Sequence, residues 1–192
     1  MPAMMIHLAA AREYAPESDG FFYFGSMAPD YTDARAIKDI IHLRNAESRP
    51  DALRELRETI DPANAFELGW LLHLYTDYCW DTDVIPGYRD SFTGEGNWFT
   101  EYRLELGRIS FSLYRSEPWA ADVWARMNAL YLRDMRAVTR TLPVPLELEW
   151  FRDRIRARHE RGGSPPDYFT RGLALEFARK TAARFRDWMN IE

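Results

Sequence analysis

The longest apolar segment of this 192-residue chain reads Phe66-Glu67-Leu68-Gly69-Trp70-Leu71-Leu72-His73-Leu74-Tyr75-Thr76-Asp77. As a helix, this sequence is apolar around nearly its whole circumference, which is typical of a helix at the centre of a bundle. The pair Asp61-Pro62 is a helix start signal. We therefore predict a central, buried helix over about 62–81.

Helical periodicity also dominates the rest of the sequence, with Pro and Gly between the periodic segments. We predict an all-α fold, a compact bundle of about seven or eight helices that forms a single domain over residues 1–192. The other predicted helices cover 3–14, 33–45, 50–60, 97–115, 118–135, 146–161 and 168–189. A short buried helical turn is expected within 21–31, and the predicted connections are 84–97, 141–145 and 162–166.

Composition excludes several classes of protein. The single cysteine, Cys79, excludes an internal disulfide framework and a cysteine-rich zinc module, so any metal must be held by His, Asp and Glu. The net charge is −5, which makes stable nucleic-acid binding an unexpected function. The sequence contains no apolar run long enough for a transmembrane segment and no basic region before its first apolar stretch. We expect a cytoplasmic protein.

His73 and Asp77 are the strongest indication of chemistry. Positions i and i+4 of a helix point the same way, and imidazole and carboxylate groups suit zinc and similar divalent metals. Asp81, one turn further on, is a possible ligand at the rim. The alternative is a buried His–Asp hydrogen bond without a metal.

Three further residues lie in apolar contexts within the first half of the chain: His7, Asp30 and His42. Taken singly, the histidines suit a core position and Asp30, after Pro29, suits a turn. Taken together with the His73–Asp77 pair, they favour a metal centre within about 1–85. Residues 1–95 carry 17 acidic and only 8 basic side chains, which also suits a cation.

Two other candidates lie in the second half. Glu101 and Glu105 are also four residues apart and are possible additional ligands, although Arg103 and Arg108 favour a solvated charged face. His159 lies in a strongly charged segment, where we predict a solvated position without a functional role.

The order of these residues resembles the zinc-dependent phospholipase C family, whose relatives include zinc nucleases specific for single strands. The resemblance covers about residues 3–85 and rests on His7, on the segment Phe24-Gly25-Ser26-Met27-Ala28-Pro29-Asp30, on His42 and on Leu68-Gly69-x-x-x-His73-x-x-x-Asp77. It implies an all-α fold and a zinc site held by His7, Asp30, His42, His73 and Asp77. It also implies that Asp30 activates the water and that Asp77 bridges metals.

The chain departs from that family in two respects. Secreted members use their mature N-terminal amine as a ligand after signal removal, and no signal is recognisable here. A second His-x-x-x-Glu helix is also missing, since no histidine lies between 74 and 158. We therefore expect one or two zinc ions rather than three, as in a small cytoplasmic branch of the family.

Three functions are compatible with these patterns. The first is a metal-dependent hydrolase of a small phosphoester or phospholipid headgroup, with metal-activated water as the nucleophile. The second is an HD-type phosphohydrolase, which is less favoured because the chain contains no His-Asp dipeptide. The third is a non-catalytic helical protein that kept the fold but lost part of the metal site.

Overall fold

The computed structural model describes residues 1–32, 34–130 and 148–190, and all regular secondary structure in these ranges is helical. The predicted all-α class is therefore confirmed. In chain order the elements are α1 (Met4–Tyr14), α2 (Gly20–Gly25), a 3-10 helix (Ala28–Asp30), α3 (Arg35–Ile41), α4 (Arg49–Thr59), α5 (Ala65–Asp83), α6 (Ile85–Ser91), α7 (Trp98–Ser116), α8 (Pro118–Asn128), α9 (Leu148–Arg161) and α10 (Arg171–Met189).

Helix α5 is the centre of the bundle, as its apolar sequence predicts. It contacts α1, α2, α4, α6, α10 and the 3-10 helix. It begins slightly later than predicted, because the Asn64 side chain caps it by accepting hydrogen bonds from the backbone amides of Phe66 and Glu67. The charged face of an ordinary surface helix is absent from its middle, where every residue from Gly69 to Asp77 is buried.

The predicted and observed boundaries differ around α6. The prediction of a loop over 84–97 is wrong, because Ile85–Ser91 forms α6, with Pro86 in the first turn where proline is tolerated. Helix α8 ends at Asn128, and the rest of its predicted extent from 131 to 135 lies outside the described residues. The predicted break at 141–145 and the predicted start of the next helix at 146 also lie outside them.

Two glycines allow α2 to approach α5 closely. A Cβ atom at Gly69 would lie 2.1 Å from the carbonyl oxygen of Phe22, and one at Gly25 would lie 2.1 Å from that of Phe66. Both distances are far below van der Waals contact, so neither position has room for a side chain. This contact places Ser26 and the 3-10 helix directly against the middle of α5.

No helix in the described part of the chain combines the length and the hydrophobicity that a bilayer crossing requires.

We predict that Gly69→Ala destabilises the protein by about 1–3 kcal/mol or more, because the added methyl forces two backbones apart in a packed core. Gly87→Ala is the matched control, since a Cβ there meets nothing within 4 Å and alanine is the better helix former. Urea denaturation of both variants measures the difference. Equal stabilities of the two variants would contradict the close approach of α2 and α5.

Candidate metal centre

The structure brings five of the predicted ligands together from four separate elements. His7 comes from α1, Asp30 from the end of the 3-10 helix, His42 from the residue after α3, and His73 and Asp77 from α5. These residues form two overlapping sets. One is His7, Asp30 and His73, and the other is His42, His73 and Asp77. Within each set, one ligand atom from each residue lies within 4.8 Å of those of the others.

Backbone carbonyls orient the rings of His42 and His73. His42 Nδ1 lies 2.7 Å from the Lys38 carbonyl oxygen, and His73 Nδ1 lies 2.8 Å from that of Ser26. A carbonyl can only accept a hydrogen bond, so each Nδ1 carries the proton and donates it. In the neutral rings each Nε2 then presents a lone pair, which is the arrangement seen in metal-binding histidines.

The two Nε2 atoms and one oxygen of Asp77 form a small triangle. His42 Nε2 and His73 Nε2 are 3.3 Å apart, and they lie 3.5 and 3.6 Å from Asp77 Oδ2. An ion held tetrahedrally at about 2.0–2.2 Å separates its ligand atoms by about 3.3–3.6 Å. The triangle therefore has the dimensions of one face of a tetrahedral zinc site, and two facing lone pairs require a cation or a proton between them.

His7 approaches the same carboxylate from its other oxygen. His7 Nε2 is 3.4 Å from Asp77 Oδ1, and its ring stacks on that of His73 with centroids 3.8 Å apart. Both ring nitrogens of His7 and both oxygens of Asp77 are buried and have no hydrogen-bond partner among the described residues. Buried polar atoms of this kind are costly unless another group satisfies them, and a metal ion would do so.

The backbone next to His42 is strained. Leu43 has φ = 55°, in the left-handed region that branched and bulky residues seldom adopt. This conformation ends α3 and costs about 1–2 kcal/mol. The backbone amide of Arg44 bonds the Asp39 carbonyl and that of Leu43 bonds the Ile40 carbonyl, so the left-handed residue closes the end of the helix next to His42.

Charge stabilises both carboxylates in their ionised forms. Burial opposes ionisation of Asp77, but the neighbouring His73 and His7 rings hold the pKa of its carboxyl well below the usual range. Burial likewise opposes ionisation of Asp30, and the Lys38 ammonium, 2.7 Å from Oδ1, is the main group that holds its pKa well below that range. Asp30 also lies 3.5 Å from His42 Nε2, at the edge of the cluster.

Two cationic side chains that were not predicted from the sequence, Lys38 and Arg49, border the site. Lys38 pairs with Asp30, and Arg49, the first residue of α4, bonds Asp81 at 2.8 Å and lies 3.7 Å from Asp77 Oδ2. The position of Lys38 one helical turn before His42 was a usable signal. Arg49 carried none, because its direction depends on how α4 packs. Asp81 accepts hydrogen bonds from Arg49 and from the α-ammonium group of Met1, at 2.6 Å, rather than joining the ligand groups.

Glu101 and Glu105 belong to neither ligand group within the described residues. Glu105 is buried instead beside α10, where it accepts hydrogen bonds from the backbone amides of Asp167, Tyr168 and Phe169. Those bonds and Arg108 outweigh burial and lower its pKa. The acidic pair on α7 is therefore not a substitute for the missing second histidine helix in this arrangement.

His159 is buried, so its predicted place on a solvated face is wrong. Its Nδ1 donates to the Ile155 carbonyl, and its Nε2 accepts from the Ser110 hydroxyl at 2.8 Å. The surrounding Phe111, Tyr114 and Trp124 rings shield it, and burial lowers its pKa. The charged residues on either side concealed one inward-facing position of the helix.

No protein-family model, curated protein or solved structure matches this chain.

We predict that metal-free protein loses stability as the pH falls from 6.5 to 4, in part because of His7. Burial, followed by the neighbouring His73, lowers the pKa of His7 from 6.5 to about 4. The unfolded chain therefore binds a proton in this range that the folded chain does not, which costs about 3 kcal/mol by pH 4.

Urea denaturation in a chelator at several pH values measures this loss, with His7→Gln as the comparison. The wild type should lose about 3 kcal/mol more than the variant between pH 6.5 and pH 4. Parallel pH profiles would show that His7 is not buried as a neutral ring.

Proposed function

We propose that this chain is a metal-dependent hydrolase that acts on a phosphoester, in the manner of zinc-dependent phospholipase C. The observation that carries the proposal is the triangle of His42 Nε2, His73 Nε2 and Asp77 Oδ2, with sides of 3.3 to 3.6 Å. Two neutral imidazoles and one carboxylate form a catalytic type of zinc ligand set, which leaves a coordination position for water or substrate. The substrate class is a small phosphoester or a phospholipid headgroup.

We propose one or two zinc ions, because the two oxygens of Asp77 face different histidines. His42, His73 and Asp77 Oδ2 would hold one ion, and His7, near Asp77 Oδ1, would contribute to a second. A bound zinc ion supplies Lewis acidity, which makes water a better nucleophile and polarises a phosphoryl oxygen.

The cytoplasmic location stays a prediction from the sequence.

We assign to Asp30 the role of orienting and deprotonating the attacking water. Its side chain is 16% exposed, while the histidines and Asp77 lie at 1% or less. It is therefore the ligand-cluster residue nearest to solvent, and its carboxyl is ionised through its contact with Lys38. An ionised carboxylate at the edge of the cluster can orient a water molecule by accepting a hydrogen bond from it. Although its low pKa makes it a weak base, it can take the proton as the water oxygen bonds to phosphorus.

A second candidate function is a non-catalytic one, which the cations beside the site favour. Lys38 and Arg49 already compensate part of the charge of Asp30, Asp77 and Asp81. In that case the cluster is a buried polar network that stabilises the bundle without a metal. It would have the same stability with and without a chelator.

We predict that His73→Ala abolishes stoichiometric zinc binding and phosphodiesterase activity, because it removes one vertex of the triangle. His159→Gln is the matched control, since His159 is an equally buried histidine that lies outside the cluster. Elemental analysis and hydrolysis of an aryl phosphodiester measure both properties. Wild-type protein that stays metal-free after reconstitution with zinc, and is unaffected by chelator, would leave the non-catalytic function as the correct one.

We predict that Asp30→Asn lowers kcat by about 10²–10⁴-fold, since the amide cannot accept a proton from water. At least one zinc ion per chain should be retained, because the triangle does not include Asp30. Steady-state kinetics on the zinc-loaded variant, with metal analysis of the same sample, separate these effects. Full activity in a zinc-loaded Asp30→Asn protein would exclude Asp30 as the proton acceptor.

A further inference from the structure

The guanidinium of Arg49 has one nitrogen bonded to Asp81 and two nitrogens that make no hydrogen bond within the described part of the chain. Nη1 donates to Asp81 Oδ2 at 2.8 Å, whereas Nε and Nη2 are buried without a hydrogen-bond partner among the described residues. Nε–H and Nη2–H are parallel donors on the same side of the planar group. This is the edge with which arginine binds two oxygens of a carboxylate or phosphate at once.

That free edge lies beside the ligand triangle. Nη2 is 3.7 Å from Asp77 Oδ2, which is one corner of the triangle. This distance is too long for a hydrogen bond. Asp81 holds the guanidinium in place from the other side, so the donors are oriented before any ligand arrives. Buried N–H groups of a charged side chain are costly when unsatisfied, which indicates that a bound group completes them.

Charge and exposure indicate the kind of group. The two cations that border the triangle are partly exposed, at 17% for Arg49 and 24% for Lys38, while His7, His42 and His73 are buried. With neutral histidines, the cations Lys38, Arg49 and the Met1 α-ammonium, which lies 2.6 Å from Asp81, equal in number the three carboxylates Asp30, Asp77 and Asp81. A divalent ion in the triangle makes the whole site net positive, so it would attract an anion.

We propose that the Nε–Nη2 edge of Arg49 binds the phosphoryl oxyanion of the substrate, next to the ion held by the triangle. This inference rests on the proposed metal-dependent function and assigns a substrate-binding residue to it. Arg49 binds two phosphoryl oxygens as a fork, and Asp81 is a positioning residue that acts through Arg49. The same oxyanion occurs in free phosphate and in a phospholipid headgroup.

The test measures binding to zinc-loaded protein by isothermal titration calorimetry, with inorganic phosphate in one arm and phosphatidylcholine vesicles in the other. The variants are Arg49→Gln, which removes the charge, and Arg49→Lys, which keeps the charge but loses the paired donors. Arg54→Gln is the matched control, because Arg54 lies on the same helix, is 55% exposed and pairs only with the exposed Asp51 among the described residues.

Arg49→Gln should weaken binding about 10- to 100-fold in whichever arm the wild type binds, and Arg49→Lys should weaken it about tenfold. Arg54→Gln should bind like the wild type, and zinc stoichiometry should be equal in all four proteins. Should Arg49→Gln fail to fold, the charge-conserving Arg49→Lys decides the result.

The failures are distinguishable. Wild-type protein that takes up no zinc overturns the proposed function itself. Zinc-loaded wild type that binds neither probe, or that binds as the Arg49 variants do, overturns only the role of Arg49.

Discussion

An ionised carboxylate at the centre of an apolar bundle is the constraint on which this structure depends. Asp77 is fully buried in α5, and its neighbours keep its pKa well below the usual range, so the core contains a negative charge. Such a charge is tolerated only with matching positive charge and directed polar contacts. Three histidine rings and one guanidinium approach it, and none of them makes a normal hydrogen bond to it among the described residues.

The packing of the helices explains how these groups come to face one another. The glycine contact between α2 and α5 places the Ser26 carbonyl where it fixes the His73 ring. Helix α3 ends at Ile41, and the next residue, His42, is held by the carbonyl of Lys38, one turn earlier. Helix α1 then lays His7 flat on His73. The fold thus supplies three imidazoles in defined orientations around one carboxylate.

Much of this arrangement could be predicted from local sequence patterns. The spacing of His73 and Asp77 on one apolar helix required that they share a face, and the all-α class followed from periodicity. The grouping of His7, Asp30 and His42 with that face was predicted from their apolar contexts in the first half of the chain, and a family resemblance then implied a ligand role for each of them.

What the sequence could not reveal depends on tertiary packing. Glu105 and His159 looked solvated because arginines surround them in the sequence, yet each is buried by a segment distant along the chain. Arg49 looked like an ordinary helix-start residue, and only the packing of α4 against α5 brings its guanidinium beside Asp77. Long-range contacts of this kind leave no periodic signal in the sequence.

The central claim is that the triangle of His42, His73 and Asp77 holds a divalent metal ion. The most direct measurement is an anomalous difference map from a zinc-soaked crystal, recorded on both sides of the zinc absorption edge. The predicted result is a peak about 2.0–2.2 Å from His42 Nε2, His73 Nε2 and Asp77 Oδ2. A map without a peak there, with the histidines bonded directly to Asp77, would contradict the claim.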